Sequence, residues 1–308
     1  MNVLVVGGAG FIGANLIKKL KEQDHEITVI DNLITGSIKN VIDEKDIQFI
    51  NADICKYSIK DKYDQIYHLG SLASPKYYKQ YPLQTIKVNT IGSMNLLEYA
   101  KQTNAQVLFT STSEIYGSPL VHPQEEKYWG NVNSFGERSC YDEAKRCGEA
   151  IFYTYKKKYD VQIRIARIFN TYGPYMLPDD GRVVSNFIVS AYHKRPLVIY
   201  GDGQQTRSFC YVDDMVNGLI KLMNSNYTDP INLGNPHEIT IYELATKILQ
   251  YTNSSSKIEY IEESIDDPCR RQPDISLAAK VLDWYPKVVL EDGLKKTIEY
   301  LYKGEDSK

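Results

Sequence analysis

The sequence predicts an α/β fold, a doubly wound parallel sheet followed by a smaller C-terminal α/β domain, and three observations predict it. Short apolar runs of strand length alternate with longer amphipathic segments through the first 170 residues. A glycine-rich turn, Gly7-Gly8-Ala9-Gly10-Phe11-Ile12-Gly13, separates the first run from the first amphipathic segment. Near Asn170 the texture changes to loops rich in Gly, Pro and Asp, as in Tyr172-Gly173-Pro174 and Pro178-Asp179-Asp180-Gly181-Arg182. A chain of 308 residues, 43% hydrophobic and 24% charged, can fill one large or two modest cores. The expected domains are therefore 1–170 and 171–308, with segments near 207–235 packing back on the first.

The elements follow in order. Val3 to Val6 is the first strand, and Leu16, Ile17 and Leu20 give the next segment one apolar side, so a helix follows the glycine turn. Glycines let a backbone turn tightly and approach a pyrophosphate, while the helix N-terminus offers N–H groups and partial positive charge. The second strand, Glu26 to Ile30, ends at Asp31, eighteen residues beyond Gly13, where a dinucleotide-binding unit of Rossmann type places an acid for the adenosine ribose. A carboxylate there repels a 2′-phosphate, and Asn32-Leu33-Ile34 brings no arginine to hold one, so NAD is expected over NADP. Ile47 to Asn51 and Gln65 to Leu69 are the third and fourth strands, ending at Asp53-Ile54 and Gly70-Ser71.

Pro82 opens a helix expected to run to about Ala100, before the fifth strand, Gln106 to Thr110. Thr112-Ser113-Glu114 lies just past that strand; such residues can align a sugar and handle protons, and they also cap helices routinely. Ser139 to Lys158 reads as a helix and Val161 to Ile168 as the sixth strand. Beyond 170 the pattern gives a helix at Val183 to Tyr192, strands at Leu197 to Tyr200 and Ser208 to Val212, and a helix opened by Asp213. Strand Pro230 to Leu233, a helix capped by Thr240-x-x-Glu243, and a tail helix around Leu294 to Leu301 that frays from Gly304 complete the chain.

Composition excludes several classes. A net charge of -3 gives no field to gather nucleic acid or anionic membrane. No apolar run approaches the roughly 20 residues of a membrane span, so a soluble, cytoplasmic protein is expected. Cys55, Cys140, Cys147, Cys210 and Cys269 form no Cys-x-x-Cys and the five histidines no His-x3-His, so no metal is expected and the thiols read as reduced.

Chemistry concentrates at Ser139-Cys140-Tyr141-Asp142-Glu143-Ala144-Lys145-Arg146. Residues four apart share a helix face, so Tyr141 and Lys145 point into one space. An adjacent ammonium stabilises phenolate, and such a tyrosine can take a proton from a sugar hydroxyl as hydride leaves the carbon. With 25 Tyr and 27 Lys in the chain, about two Tyr-x3-Lys pairs arise by chance, and two occur, the other being Tyr153 and Lys157. Arg182, Arg207 and Arg271 offer forks suited to phosphate or carboxylate, although most arginines only solvate a surface.

The chain from about residue 2 to about 302 resembles the extended short-chain dehydrogenase/reductase superfamily and, within it, the UDP-glucuronate decarboxylases. The resemblance rests on Ser111-Thr112-Ser113-Glu114-Ile115-Tyr116-Gly117, Tyr128-Trp129-Gly130, Cys140 to Arg146, Ala166-Arg167-Ile168-Phe169-Asn170-Thr171-Tyr172-Gly173-Pro174, Asp180 to Phe187 and Gln205-Thr206-Arg207. Nucleotide-sugar 4,6-dehydratases of the superfamily carry Asp where Ser113 stands. The chain departs from the decarboxylase pattern at Gly70 to Pro75 and at Ser134 and Glu137.

The resemblance implies oxidation at C4 with NAD, loss of carbon dioxide through a UDP-4-keto-pentose, and re-reduction to UDP-xylose. It implies a catalytic set of Tyr141, Lys145, Glu114, Thr112, Ser113 and Arg207. It implies cofactor contacts at Gly7, Gly10, Phe11, Ile12, Gly13, Asp31, Asn32, Asp53, Ile54, Leu69, Ser71 and Thr171 as well as Tyr141 and Lys145, with Tyr172 nearby. UDP-sugar contacts are implied at Lys87, Asn95, Tyr155, Asn170, Arg182, Tyr200, Arg207 and Arg271, and a homodimer through a four-helix interface of residues 85–101 and 140–157. A UDP-sugar C4-epimerase, a nucleotide-sugar 4,6-dehydratase and a non-catalytic NAD-binding scaffold remain in competition, and carbon dioxide release separates the first reading from all three.

Overall fold

The computed structural model describes residues 1–42, 46–262 and 270–306; Cys269 lies outside them. Strands β1 (Asn2–Val6), β2 (Glu26–Asp31), β3 (Ile47–Asn51), β4 (Gln65–His68), β5 (Gln106–Thr112) and β6 (Ile163–Ile168) form a parallel sheet. Its order is β3-β2-β1-β4-β5-β6, reversing direction of growth at β1. A seventh strand, Pro230–Leu233, comes from far downstream and pairs in parallel with β6. The strands are apolar on both faces because both are covered. Val3 and Val5 of β1 face one core with the Phe11–Lys21 and Val212–Met223 helices; Leu4 and Val6 face the other with Leu96, Leu97 and Phe152.

The expected Pro82 helix is three segments end to end: α-helix Pro82–Lys87, one turn of π-helix at Val88–Gly92, and α-helix Ser93–Thr103. The wider turn carries Asn89, whose side chain donates to Thr85 O at 2.8 Å and to Ser71 Oγ at 3.0 Å, tying the helix to the loop after β4. A short helix at Pro75–Gln80 had no sequence expectation, since a single turn and a half shows no apolar period. The Ser139–Tyr159 helix packs beside the Pro82–Thr103 segments.

In the downstream half, Val183–Tyr192, Leu197–Tyr200 and the Thr240/Glu243 capping box occur as expected; Thr240 N donates to Glu243 Oε2 at 2.9 Å and Glu243 N to Thr240 Oγ1 at 3.0 Å. The single strand expected at Ser208 to Val212 is instead two. Thr206–Ser208 pairs with Glu238–Thr240 and Arg270–Arg271, then the chain turns at Phe209 so that Cys210–Tyr211 pairs with Thr171–Tyr172. Phe209 and Cys210 are both buried in one core, and the break at Phe209 lets the chain pass from one small sheet to the other. The last helix spans Leu290–Asp306, and its polar end continues the helix rather than fraying at Gly304.

Candidate active site

The carboxyl ends of β1, β2, β4, β5 and β6 open into one cleft of about 710 Å³, within the range of small-molecule and cofactor sites. Its floor is the glycine turn. Gly7 has φ +81°, and a Cβ there would lie 2.6 Å from Gly70 N; a Cβ at Gly13 would lie 2.4 Å from Gly7 O. No side chain fits either place, so the backbone stays bare and closely folded where the helix beginning at Phe11 presents its N-terminus. Asp31 is set by the same turn: Oδ2 accepts from Ala9 N at 3.1 Å and Oδ1 from Leu33 N at 2.8 Å. Burial raises its pKa, and these two bonds pull it back. Asn40, which the sequence reading missed, donates to Ala9 O at 2.8 Å and lines the same wall. A backbone cradle for phosphate beside an anchored acid is what a dinucleotide requires, so these residues fit NAD.

Gly10, Phe11, Ile12, Asn32, Asp53, Ile54, Leu69, Ser71 and Thr171 also line this cleft. Thr112, Ser113, Glu114, Tyr141, Lys145, Arg207, Lys87, Asn170, Arg182, Tyr200 and Arg271 line it too. Asn95 and Tyr155 do not. Asn95 Nδ2 donates to the Ile54 and Cys55 carbonyls at 3.0 and 3.1 Å, fixing the loop behind the wall. Tyr155 lies fourteen residues along the helix from Tyr141 and donates to Glu98 Oε1 at 2.7 Å, where it staples two helices. Tyr172 also faces away, donating to Leu290 O at 3.2 Å at the C-terminal helix.

Tyr141 is 5% exposed and stacks on Tyr78 of the short Pro75–Gln80 helix, ring centres 5.2 Å apart and planes 8° from parallel. Lys145, 2% exposed, donates to Thr110 O at 2.6 Å and lies 5.9 Å from the Tyr141 ring centre. The lowered phenol expected beside Lys145 is not found in the protein alone. Burial pushes Tyr141 up to about 12, a hydrogen bond with Thr112 pulls it down, and the Glu114 charge pushes it up again. Burial likewise drives Lys145 down to about 7, against the pull of Glu149. The protein by itself thus holds a neutral phenol beside an amine that titrates near neutrality.

Thr112 also serves the humbler purpose weighed for it: its hydroxyl accepts from Glu114 N at 3.2 Å and caps the short turn Ser113–Tyr116. Capping fixes Glu114 at the cleft wall. There its carboxylate accepts from Arg138 Nη2 at 2.5 Å and from Arg271 Nη2 at 3.1 Å. Burial works to raise the Glu114 pKa, but Arg271, Arg138 and Arg207 outweigh it and hold the group below the usual carboxylate range. Arg207 and Arg271 are register partners on neighbouring parallel strands, so their side chains leave the sheet on one side. Arg271, 1% exposed, donates its other nitrogen to Ser113 O at 2.6 Å, which makes it a brace for the Ser113–Glu114 turn.

Arg138 and Asp142 were missed by sequence reading. Arg138 precedes the Tyr141 helix, and its carbonyl accepts from Tyr141 N and Asp142 N, so its grip on Glu114 sets the start of that helix against the β5 turn. Arg138 Nε lies 3.6 Å from Asp142 Oδ2, whose pKa is raised to about 7 by burial and by Glu114. No sequence signal marks either role, because these bonds join residues of one charged type to many candidates. Among the described residues there is no metal-holding group of three or more His, Cys, Asp or Glu, and no helix is long and apolar enough to cross a membrane.

Residues 3–234 match the NAD dependent epimerase/dehydratase family. The chain belongs to this family. Among its relatives, UDP-glucuronic acid decarboxylase 1 of Xenopus tropicalis is 51% identical over 98% of this chain and 72% of that protein. UDP-glucuronic acid decarboxylase 3 of Arabidopsis thaliana is 52% identical over 96% of this chain and 87% of that protein. Among solved structures of the family, UDP-glucuronic acid 4-epimerase from Bacillus cereus, in complex with UDP-glucuronic acid and NAD, superimposes with a TM-score of 0.89 at 28% identity, covering 98% of this chain and 99% of that one. The family's fold class is thus the one that the alternating runs and glycine turn predict.

Proposed function

We propose that this chain is an NAD-dependent UDP-glucuronate decarboxylase that yields UDP-xylose. The observation that carries the reading is the arginine cage around Glu114, set against Tyr141 in one cleft: three guanidinium groups gather around this carboxylate, with Asp142 beside Arg138, and such a cluster suits the carboxylate of a sugar. The names of relatives at 51% and 52% identity support the same chemistry.

The glycine turn would hold the pyrophosphate of NAD, Asp31 the adenosine ribose, and Lys145 the nicotinamide ribose. Bound there, NAD would supply a hydride acceptor for C4, a hydride donor for its return, and positive charge that favours a phenolate. Tyr141 receives the proton of the C4 hydroxyl and later gives it back. Since the phenol is high in the protein alone, Lys145 in its ammonium form has to stabilise the phenolate. A ketone at C4 lies beta to the C6 carboxylate, so the electrons freed with carbon dioxide enter an enolate, and orientation matters more than a strong acid. Arg207 orients that carboxylate, Arg271 and Arg138 keep Glu114 in place, and Glu114 with Ser113 governs protonation at C5. Ser113 is no acid to expel a hydroxyl, which disfavours 4,6-dehydration.

We also propose a cytoplasmic homodimer. Leu83, Ile86, Ile91 and Met94 on the Pro82–Thr103 segments and Tyr153 on the neighbouring helix are exposed, an apolar face suited to a second copy. Free thiols at Cys55, Cys140 and Cys147 suit a reducing compartment.

The test is mass analysis of products from purified protein given UDP-glucuronate, with and without added NAD. Carbon dioxide and a UDP-pentose are expected. A product of unchanged mass would mean epimerisation, loss of water would mean dehydration, and no turnover would leave a scaffold.

A further inference from the structure

The helix that presents Tyr141 and Lys145 carries a third polar residue on the same stripe. Glu149 follows Lys145 by four residues, its side chain is 14% exposed, and the mechanism above gives it nothing to do. Its carboxylate is closely held. Ser111 Oγ donates to Oε1 at 2.6 Å, Arg167 Nε to Oε1 at 3.0 Å, and Arg167 Nη2 to Oε2 at 2.8 Å. Arg167 is braced in turn: Nη1 donates to Tyr116 Oη at 3.0 Å and to Glu126 O at 2.8 Å, and Tyr116 donates to Asn232 Oδ1 at 2.8 Å on the seventh strand.

The Lys145 ammonium has a different setting. It donates to Thr110 O and lies 4.7 Å above the Phe109 ring. Ser111, which holds Glu149, is the next residue after Thr110, which holds Lys145, so β5 grips both side chains through consecutive positions. Several elements pack around Lys145. Its own helix supplies the neutral Tyr141 phenol and the Glu149 carboxylate. From β4 comes His68, kept neutral because burial and the Lys145 charge hold its pKa near about 3. From β5 come the Thr110 carbonyl and the Phe109 ring, neither of them charged, and from β6 comes Arg167, turned onto Glu149. Glu149 is the anion in this set, and it pulls against the burial that strips Lys145 of its proton.

We propose that Glu149, oriented by Arg167 and Ser111, is a positioning residue that keeps Lys145 charged, so that cofactor binding and the Tyr141 proton step depend on a buried ion pair one turn beyond them. This rests on reading Tyr141 and Lys145 as the working pair, but its test needs no sugar. A carboxylate near an ammonium favours the charged form; replacing it by an amide of equal size removes that help while keeping shape.

The experiment measures NAD affinity from pH 6 to 9.5 for wild type, Glu149→Gln, Glu149→Asp, and the double variant Glu149→Gln with Arg167→Met. The double variant replaces the buried pair by neutral groups, which guards against a fold lost to an unpaired guanidinium. Wild-type affinity should fall as pH rises and Lys145 loses its proton. In Glu149→Gln the midpoint should move down by about one pH unit, with wild-type affinity recovered at the acidic end. Glu149→Asp should restore most of the shift, and the double variant, which loses the Arg167 cation together with the carboxylate, should move less than the single one. An unmoved midpoint, or a loss equal at every pH, would mean that Glu149 only packs. Carbon dioxide release from UDP-glucuronate, run alongside, separates the two claims. A shifted midpoint without any wild-type release sinks the proposed function alone, whereas release with an unmoved midpoint sinks this inference alone.

Discussion

Two tyrosine–lysine pairs with the same spacing lie on one helix. At its start Lys145 Nζ is 5.9 Å from the Tyr141 ring centre, and three turns on, Lys157 Nζ is 5.8 Å from the Tyr153 ring centre. The pairs differ only in surroundings. Tyr141 is 5% exposed and shares a cleft with Thr112, Glu114 and a glycine cradle, whereas Tyr153 is 58% exposed and Lys157 faces solvent. Helical spacing therefore supplies geometry, and burial supplies chemistry: in low dielectric the phenol rises to about 12 and the lysine drops to about 7, so each proton has an energetic consequence that water would erase.

The largest expected effect tests that difference directly. Tyr141→Phe should lower carbon dioxide release by about three orders of magnitude while NAD still binds, because a proton acceptor goes and little volume does. Near-normal release would erase the distinction between the pairs. Next, Arg207→Ala should slow decarboxylation by a factor on the order of 100, the loss expected from a well-placed electrostatic contact. Labelled carbon dioxide together with deuterium uptake at C5 in heavy water would reveal whether orientation or protonation suffers. Third, the anchored Asp31 should favour NAD over NADP by at least about tenfold in affinity, measured calorimetrically; equal affinities would mean that the ribose is read elsewhere.

A smaller effect sharpens the energetic side. The folded pKa of Lys145, about 7, lies below that of an ordinary lysine. Between pH 7 and the ordinary lysine range the unfolded chain holds a proton that the folded chain has released, so this group's destabilisation is full below pH 7 and fades as pH rises through that window. Lys145→Met should therefore melt several degrees above wild type at pH 6.5, with the gap closing toward pH 10, while activity is lost. A constant gap would point to packing instead of charge. Last, Tyr153→Phe should change turnover by less than about twofold, because the hydroxyl it removes lies outside the cleft and the ring on the proposed dimer face is kept.

Much of this was legible in the chain and some was not, for identifiable reasons. Six strands could be read because parallel strands buried on both faces appear as plain apolar runs. The Pro75–Gln80 helix, which brings Tyr78 onto Tyr141, was invisible because a turn and a half has no period to detect. The glycine turn and Asp31 were readable since backbone approach demands glycine and a strand end demands nothing else. Arg138, Asp142 and Glu149 were not, because the partner of a charged side chain is chosen in space: Arg138 and Glu114 are far apart in sequence, and Arg207 meets Arg271 only through strand pairing. Asn95 and Tyr155, expected at the sugar, hold loop and helix together instead.

The seventh strand has a consequence for how the molecule is made. Pro230–Leu233 closes the edge at β6, and Asn232 there bonds Tyr116 and the carbonyls of Gln124 and Asp274. During synthesis, the sheet that carries the cradle must wait with an open edge while some sixty further residues emerge, an interval in which β6 can pair with another chain. A nascent chain stalled between Ile168 and Pro230 is thus the species most in need of a chaperone, and a gene cut at 170 would yield an aggregation-prone fragment in place of a working half.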